Sequence, residues 1–267
     1  MAIFAVLLAA FWLSSTSGPQ TASPPPSKSA ASQEPRRLTV EVLETMPHDP
    51  EAFTQGLLWY QGHLYESTGD YGKSTLRRVD PASGQVLSSR PLAPELFGEG
   101  LARVEDRLIQ LSWREGAALV WDLEDLTEVD RYEYEGEGWG LCFDGRQLVM
   151  SNGTSLLSIR DPDTFQVERE VEVRLGDGAV GRLNELECAA GWIYANVYTT
   201  EWIVRIDPES GRVDAVIDAS GLLSQQEARG VDVLNGIAYD SEHQVFYLTG
   251  KLWPKLFAVR FVDGDGG

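Results

Sequence analysis

Thr54-Gln55-Gly56-Leu57-Leu58, Gly98-Glu99-Gly100-Leu101-Ala102, Gly138-Trp139-Gly140-Leu141-Cys142, Leu183-Asn184-Glu185-Leu186-Glu187 and Leu234-Asn235-Gly236-Ile237-Ala238 are five versions of one phrase. Aligned on the third residue, they recur every 40 to 51 residues. A period of that length marks either a helical solenoid or the blades of a propeller. The segments between the phrases decide between them. His63-Leu-Tyr-Glu-Ser-Thr68, Arg107-Leu-Ile-Gln-Leu-Ser112, Gln147-Leu-Val-Met-Ser151, Trp192-Ile-Tyr-Ala-Asn-Val197 and Val245-Phe-Tyr-Leu-Thr249 are short and apolar or aromatic. Each follows a turn signal: Gln61-Gly62, Glu105-Asp106, Asp144-Gly145, Ala190-Gly191 and Ser241-Glu242. Short strands joined by tight turns read as hairpins. A third strand follows in every repeat, and a fourth in most, such as Gly84-Gln-Val-Leu-Ser88 and Gly211-Arg-Val-Asp-Ala-Val-Ile217.

Four short strands per repeat predict an all-β, five-bladed β-propeller. The last repeat reaches only three strands. Leu38 to Glu44, which alternates and precedes the first repeat, is the expected fourth, and its pairing there would remove two open sheet edges. One domain over residues 38–263 results.

Upstream, residues 1–17 hold an apolar run of about a dozen residues, too short for a comfortable membrane span. They read as a signal peptide, although no Lys or Arg precedes Lys28. The segment could instead remain as a membrane anchor. Residues 18–37, with Pro24-Pro25-Pro26 among Ser and Ala, read as a disordered spacer. The expected location is secreted or periplasmic.

The net charge of −19 argues against nucleic acid as a partner, because phosphate backbones call for Lys and Arg. A monomer is expected. The two cysteines, Cys142 and Cys188, fall on first strands of neighbouring repeats but one position out of phase. A one-residue offset flips the side of the pleat, so two buried thiols are favoured over a disulfide. His48, His63 and His243 share no metal-ligand spacing, and neither C-x-x-C nor H-E-x-x-H occurs. No metal site is expected.

The chemistry therefore rests on what the repeats bring to one end. Gln55, Glu99, Trp139, Asn184 and Asn235 each precede the aligned position. Trp113, Tyr198 and Lys251 lie 14 to 16 residues later, past the hairpin and back at the same end. Phe53 and Phe97 sit two residues before Gln55 and Glu99. Taken singly, each aromatic would more often be packing and each amide a turn former. Their coincidence in phase points to a site at the mouth of the channel. Glu99 weighs most, since a carboxyl between glycines adds no packing there.

The ordered strings Pro47-His-Asp-Pro-Glu-Ala-Phe-Thr-Gln-Gly56, Phe97-Gly-Glu-Gly100, Gly138-Trp-Gly140, Leu183-Asn-Glu-Leu-Glu187 and Thr249-Gly-Lys-Leu-Trp-Pro254 strongly resemble the plant-type and bacterial glutaminyl-peptide cyclotransferases. The resemblance implies a five-bladed propeller that converts N-terminal glutamine of peptides and proteins to pyroglutamate. It implies a catalytic group of Glu99, Asn184 and Lys251, with Glu99 as acid and base. It implies Phe53, Gln55, Phe97, Trp113, Trp139 and Tyr198 as substrate-binding residues. Tyr198 stands where the family often has Trp. No cofactor is required, and a structural calcium, which some relatives hold in the channel, is compatible. The alternatives are a non-catalytic propeller binding a peptide or sugar at the same mouth, and a calcium-dependent lactonase-like propeller. The second would need several carboxylates where the ring offers one.

Overall fold

The computed structural model describes residues 34–264. The readings of residues 1–17 and of most of the spacer lie outside those residues. Among the described residues there are strands and no helix. Strand β1 (Arg36–Pro47) is longer at both ends than expected. The first repeat forms β2 (Thr54–Tyr60), β3 (His63–Thr68), β4 (Thr75–Asp80) and β5 (Gln85–Pro91). The second forms β6 (Gly98–Val104), β7 (Arg107–Ser112), β8 (Ala117–Asp122) and β9 (Glu128–Glu133). The third forms β10 (Leu141–Phe143), β11 (Leu148–Ser151), β12 (Leu156–Arg160) and β13 (Val167–Glu172). A small hairpin, β14 (Arg174–Leu175) and β15 (Gly178–Ala179), follows. Then come β16 (Leu183–Ala189), β17 (Trp192–Val197), β18 (Trp202–Ile206) and β19 (Val213–Asp218). The chain ends in β20 (Leu234–Asp240), β21 (Val245–Gly250) and β22 (Lys255–Asp263).

Three sheets have four strands in sequence order, and one has eight in the order β16-β17-β18-β19-β1-β22-β21-β20. In that larger sheet β1 lies between two meanders, antiparallel to β22 and parallel to β19. The first strands β2, β6, β10, β16 and β20 contact one another in a closed circuit. The apolar clusters follow the same circuit, each filling the space between consecutive repeats. Leu58, Tyr65 and Leu76 meet Leu101, Leu108 and Trp121, for example, and Leu57 and Leu64 meet Ala238 and Leu256. The architecture is all-β and propeller-like.

Burial explains the composition of each strand. First and second strands such as β6 and β7 are covered on both faces and buried along nearly their whole length, polar residues included. Last strands such as β5 and β9 are exposed and carry Arg, Glu and Asp, which protect an open edge. Gln61-Gly62 and Ala190-Gly191 take positive φ at both residues, as a two-residue hairpin turn requires. Asp144-Gly145 and Ser241-Glu242 belong instead to four-residue loops.

Cys142 and Cys188 form a disulfide, with Cα atoms 5.4 Å apart, which overturns the expectation of two thiols. The one-residue offset is what permits the bond. Along β10, Leu141 packs toward the second repeat and its neighbour Cys142 toward the fourth. Cys188 shares the face of Leu186, two residues earlier, which packs toward the third repeat. Consecutive sheets meet through opposite faces of the pleat, so an odd offset turns the two sulfurs toward each other. A bulge in β16, where the pairing with β17 shifts register between Leu183 and Leu186, lies before this stretch and leaves the relation unchanged.

Candidate active site

The bulge in β16 has counterparts. Register shifts occur between Thr54 and Gly56, between Gly98 and Leu101, and between Leu234 and Ile237. Each lies within the recurring phrase, so Gln55, Glu99, Asn184 and Asn235 stand where the ladder is broken. Bulges re-aim side chains in this way and favour functional sites. The second set also sits at strand ends: Trp113, Tyr198 and Lys251 immediately follow β7, β17 and β21.

The aromatic side chains form a wall whose contacts close on themselves. Phe53 meets Phe97 edge-on with ring centroids 6.1 Å apart, and Phe97 meets Trp113 at 5.5 Å. Lys251 Nζ lies 4.8 Å from the ring centre of Phe53 and 5.2 Å from that of Tyr198. Tyr198 meets Trp139 edge-on at 5.5 Å. The circuit is completed by a carboxylate that sequence reading did not assign. The indole Nε1 atoms of Trp113 and Trp139 both donate to Glu137 Oε2, at 2.9 and 3.0 Å. Arg114 Nε donates to the other oxygen, Oε1, at 2.9 Å. Glu137 lies two residues before Trp139, the offset that Phe53 and Phe97 have from Gln55 and Glu99. Applying that offset to the third repeat would have found it.

Glu99 is 4% exposed and accepts a hydrogen bond from Gln55 Nε2 at 2.8 Å. Burial pushes its carboxyl well above the usual carboxylate range. The nearby ammonium of Lys251 opposes that shift, while Glu137 and Glu115 add to it. Lys251 is 5% exposed, and burial lowers its pKa against the pull of Glu99 and Asp232. Asn184 is buried, its backbone carbonyl accepting from Ser151 Oγ at 2.7 Å. A cavity of about 780 Å³ opens beside the wall, lined by Phe53, Phe97, Thr68, Gly69 and Asp70 among others. Neither Glu99 nor Lys251 lines it, so it adjoins the carboxyl rather than containing it.

Residues 8–261 match the glutamine cyclotransferase family. The chain belongs to that family. It is 43% identical over 227 residues to a glutaminyl-peptide cyclotransferase of Arabidopsis thaliana, across 83% of this chain and 71% of the relative. The crystal structure of Myxococcus xanthus glutaminyl cyclase superposes with a TM-score of 0.79 at 41% identity, covering 87% of this chain and 100% of that one.

In this member of the glutamine cyclotransferase family, Phe53, Phe97, Trp113, Trp139, Tyr198 and Lys251 join one wall, and Gln55 and Glu99 one hydrogen bond. Asn184 is buried at the bulge of β16. Both wall indoles donate to Glu137, so neither has an N–H left to offer a substrate. The three histidines do not converge. His48 is buried against Glu66, His63 bonds the Gln61 carbonyl, and His243 pairs with Asp240. Among the described residues, no group of three or more His, Cys, Asp or Glu is arranged to hold a metal ion.

Proposed function

We propose that this protein is a glutaminyl-peptide cyclotransferase, acting on peptides or proteins with N-terminal glutamine, with Glu99 as general acid and base. The observation that carries the reading is a buried carboxyl of raised pKa, beside a buried ammonium, inside an aromatic wall, in a chain of this family. The substrate's α-amine attacks its own side-chain carbonyl carbon. Glu99, as carboxylate, takes the amine's proton while the new C–N bond forms. Negative charge moves onto the amide oxygen, where Lys251 or Asn184 meets it. The intermediate then collapses, the old C–N bond breaks, and Glu99 returns the proton to the departing ammonia. Phe53, Phe97, Trp113, Trp139 and Tyr198 hold the flexible side chain folded toward its own amine, which contributes by orientation. A carboxyl shifted upward by burial is a stronger base and a better match to a proton that must be both taken and returned near neutrality.

The same reading makes the reaction an intramolecular acyl transfer that needs no zinc, a structural calcium being compatible with it. The Cys142–Cys188 disulfide supports an oxidising location, secreted or periplasmic. The closed circuit of first strands and of apolar clusters supports a five-bladed propeller in which β1 completes the last blade. An experimental structure with another blade count would overturn that fold assignment. A purely binding role has no support from either relative, both of which bear enzyme names.

Incubation with a short Gln-initiated peptide should release ammonia, with and without a zinc chelator. Glu99→Gln keeps shape and hydrogen-bonding reach but cannot carry a proton. Its kcat should fall about 10²–10⁴-fold, with the protein still folded by circular dichroism. Turnover within about threefold of the parent would remove Glu99 from the mechanism.

A further inference from the structure

Gln55 reaches Glu99 through its side-chain amide, and an amide can face a carboxyl with either end. The surroundings determine which. Asn235, wholly buried, directs Nδ2 at two oxygens: the backbone carbonyl of Thr54 at 3.0 Å and Gln55 Oε1 at 3.4 Å. A backbone carbonyl only accepts, so Asn235 must turn its NH₂ toward Thr54. Its second hydrogen then points at Gln55, which must answer with oxygen. The NH₂ of Gln55 is left for Glu99 Oε1, the 2.8 Å bond described above. Asn235 Oδ1 is buried without a hydrogen-bond partner among the described residues. An orphaned buried acceptor is costly, so the orientation persists because the opposite one would set two oxygens together at Thr54.

We propose that Asn235 is a positioning residue that sets the polarity of this amide chain, and so confines the exchangeable proton of Glu99 to Oε2. An O–H on Oε1 would confront the N–H of Gln55, so protonation takes place on the other oxygen. With the chain reversed, Gln55 would accept a proton from Oε1 and hold it away from the substrate. The residue is distinct from those assigned by the repeat analysis to proton transfer or to the aromatic wall. Its value to the reaction rests on Glu99 being the proton carrier proposed above.

The test reads Glu99 directly. Infrared difference spectra across a pH series give the midpoint of the protonated-carboxyl band that disappears in Glu99→Gln. Asn235→Leu removes both donors, and Asn235→Asp retains at most one. Each should raise the Glu99 midpoint by about one to two pH units, the effect of losing a hydrogen bond to a carboxylate. In each, kcat should fall about tenfold while KM changes little. Adding Asn235→Leu to Gln55→Leu should shift the midpoint no further, because Asn235 acts only through Gln55. Unchanged midpoints in both single variants, or additive shifts in the double variant, overturn the proposal. If the Asn235 variants do not fold, neutron diffraction from the unmodified protein decides: a deuteron on Glu99 Oε2 supports it and one on Oε1 overturns it. Failure of the parent to release ammonia would sink the cyclase reading instead, and the infrared midpoints would still judge Asn235.

Discussion

Three buried charged side chains, Glu66, Arg77 and His48, meet beside the mouth with the half-buried Asp49, and their contacts offset a desolvation cost that none of the three could bear alone. Glu66, 1% exposed, accepts from Thr54 Oγ1 at 2.6 Å and from Arg77 Nε at 2.9 Å, and it faces His48 Nε2 at 3.0 Å. Arg77 also donates to Asp49 at 2.8 Å. His48 Nδ1 meets the Trp253 carbonyl at 2.7 Å. Both ring nitrogens thus face acceptors, so His48 is an imidazolium. Burial would raise the Glu66 carboxyl, but Arg77 and His48 bring it down to about 2. Burial would lower His48, and Glu66 raises it above its ordinary 6.5. The two shifts act at opposite ends of the pH scale. Stability from Glu66 is complete above its unfolded value of about 4.5 and is lost as pH falls through about 2. Stability from His48 is complete below about 6.5 and is lost as pH rises through its raised value. Glu66→Gln should therefore cost on the order of 3 kcal/mol in the intervening window. The difference from the parent should vanish toward pH 2 and shrink at alkaline pH. Urea unfolding of both proteins across that range checks this, and a difference independent of pH would refute it. Little of the cluster was legible in the sequence. Glu66 lies in an apolar strand, and its partners are 11 to 18 residues away with no helical or strand spacing to betray them. Glu99 and Lys251 were legible because a repeat carries its own coordinate system.

At the level of strands, the recurring phrase does two things at once. Its third residue is glycine in four repeats; at Gly56, Gly100 and Gly140 neighbouring first strands approach too closely for a side chain, and Gly236 has a positive φ of 124°. A Cβ on Gly56 would lie 2.6 Å from the backbone nitrogen of Leu101, and one on Gly140 would collide with the carbonyl oxygen of Asn184. The fourth repeat has Glu185 instead, wholly buried, whose carboxyl accepts from the backbone N–H of Leu57 at 3.2 Å and of Ile237 at 2.8 Å. There a side chain joins β16 to β2 and β20. The same phrase bulges, which re-aims the buried residue that precedes it. Gly56 has no unusual φ, so the effect of a methyl group at that position is purely one of space. Gly56→Ala should lose at least about 2 kcal/mol, or fail to fold, by overpacking against backbone that cannot move aside. Gly181→Ala, with no atom within 4 Å of the added carbon, should stay within about 0.5 kcal/mol. Equal stability of the two variants by urea denaturation would count against this account. Hairpins and their turns could be read from apolar runs and Gly pairs. The bulges could not, because an extra residue leaves the composition of a strand unchanged. The expectation for the cysteines failed for a different reason: consecutive sheets face each other through opposite sides of the pleat, so their one-residue offset favours the bond.

Across the whole molecule, contacts are organised repeat against repeat, so each sheet depends on its two neighbours for a covered face. Periodicity conveyed this well, since five spaced phrases imply five similar environments. It conveyed nothing about where one sheet is tied covalently to the next. The Cys142–Cys188 bond joins β10 to β16 across a sequence separation of 46 residues. Both cysteines line a cavity with Asp144 and Gly145, at the turn that ends β10. Trp139 lies just before β10 and Asn184 near the start of β16, at the other ends of the same two strands. Stability and activity should therefore separate. Replacing both cysteines by serine frees the unfolded chain across that loop, and chain entropy alone sets the loss at about 3–4 kcal/mol. The midpoint of urea unfolding should fall accordingly. Below the new transition, kcat and KM for a Gln-initiated peptide should stay within about twofold of the parent, because the aromatic wall is held by Glu137, Tyr198 and the strand bulges rather than by the cross-link. A large fall in kcat in the folded double variant would mean that the bond sets the distance between Trp139 and Asn184. The mouth would then be held from the far end of the strands rather than by its own contacts.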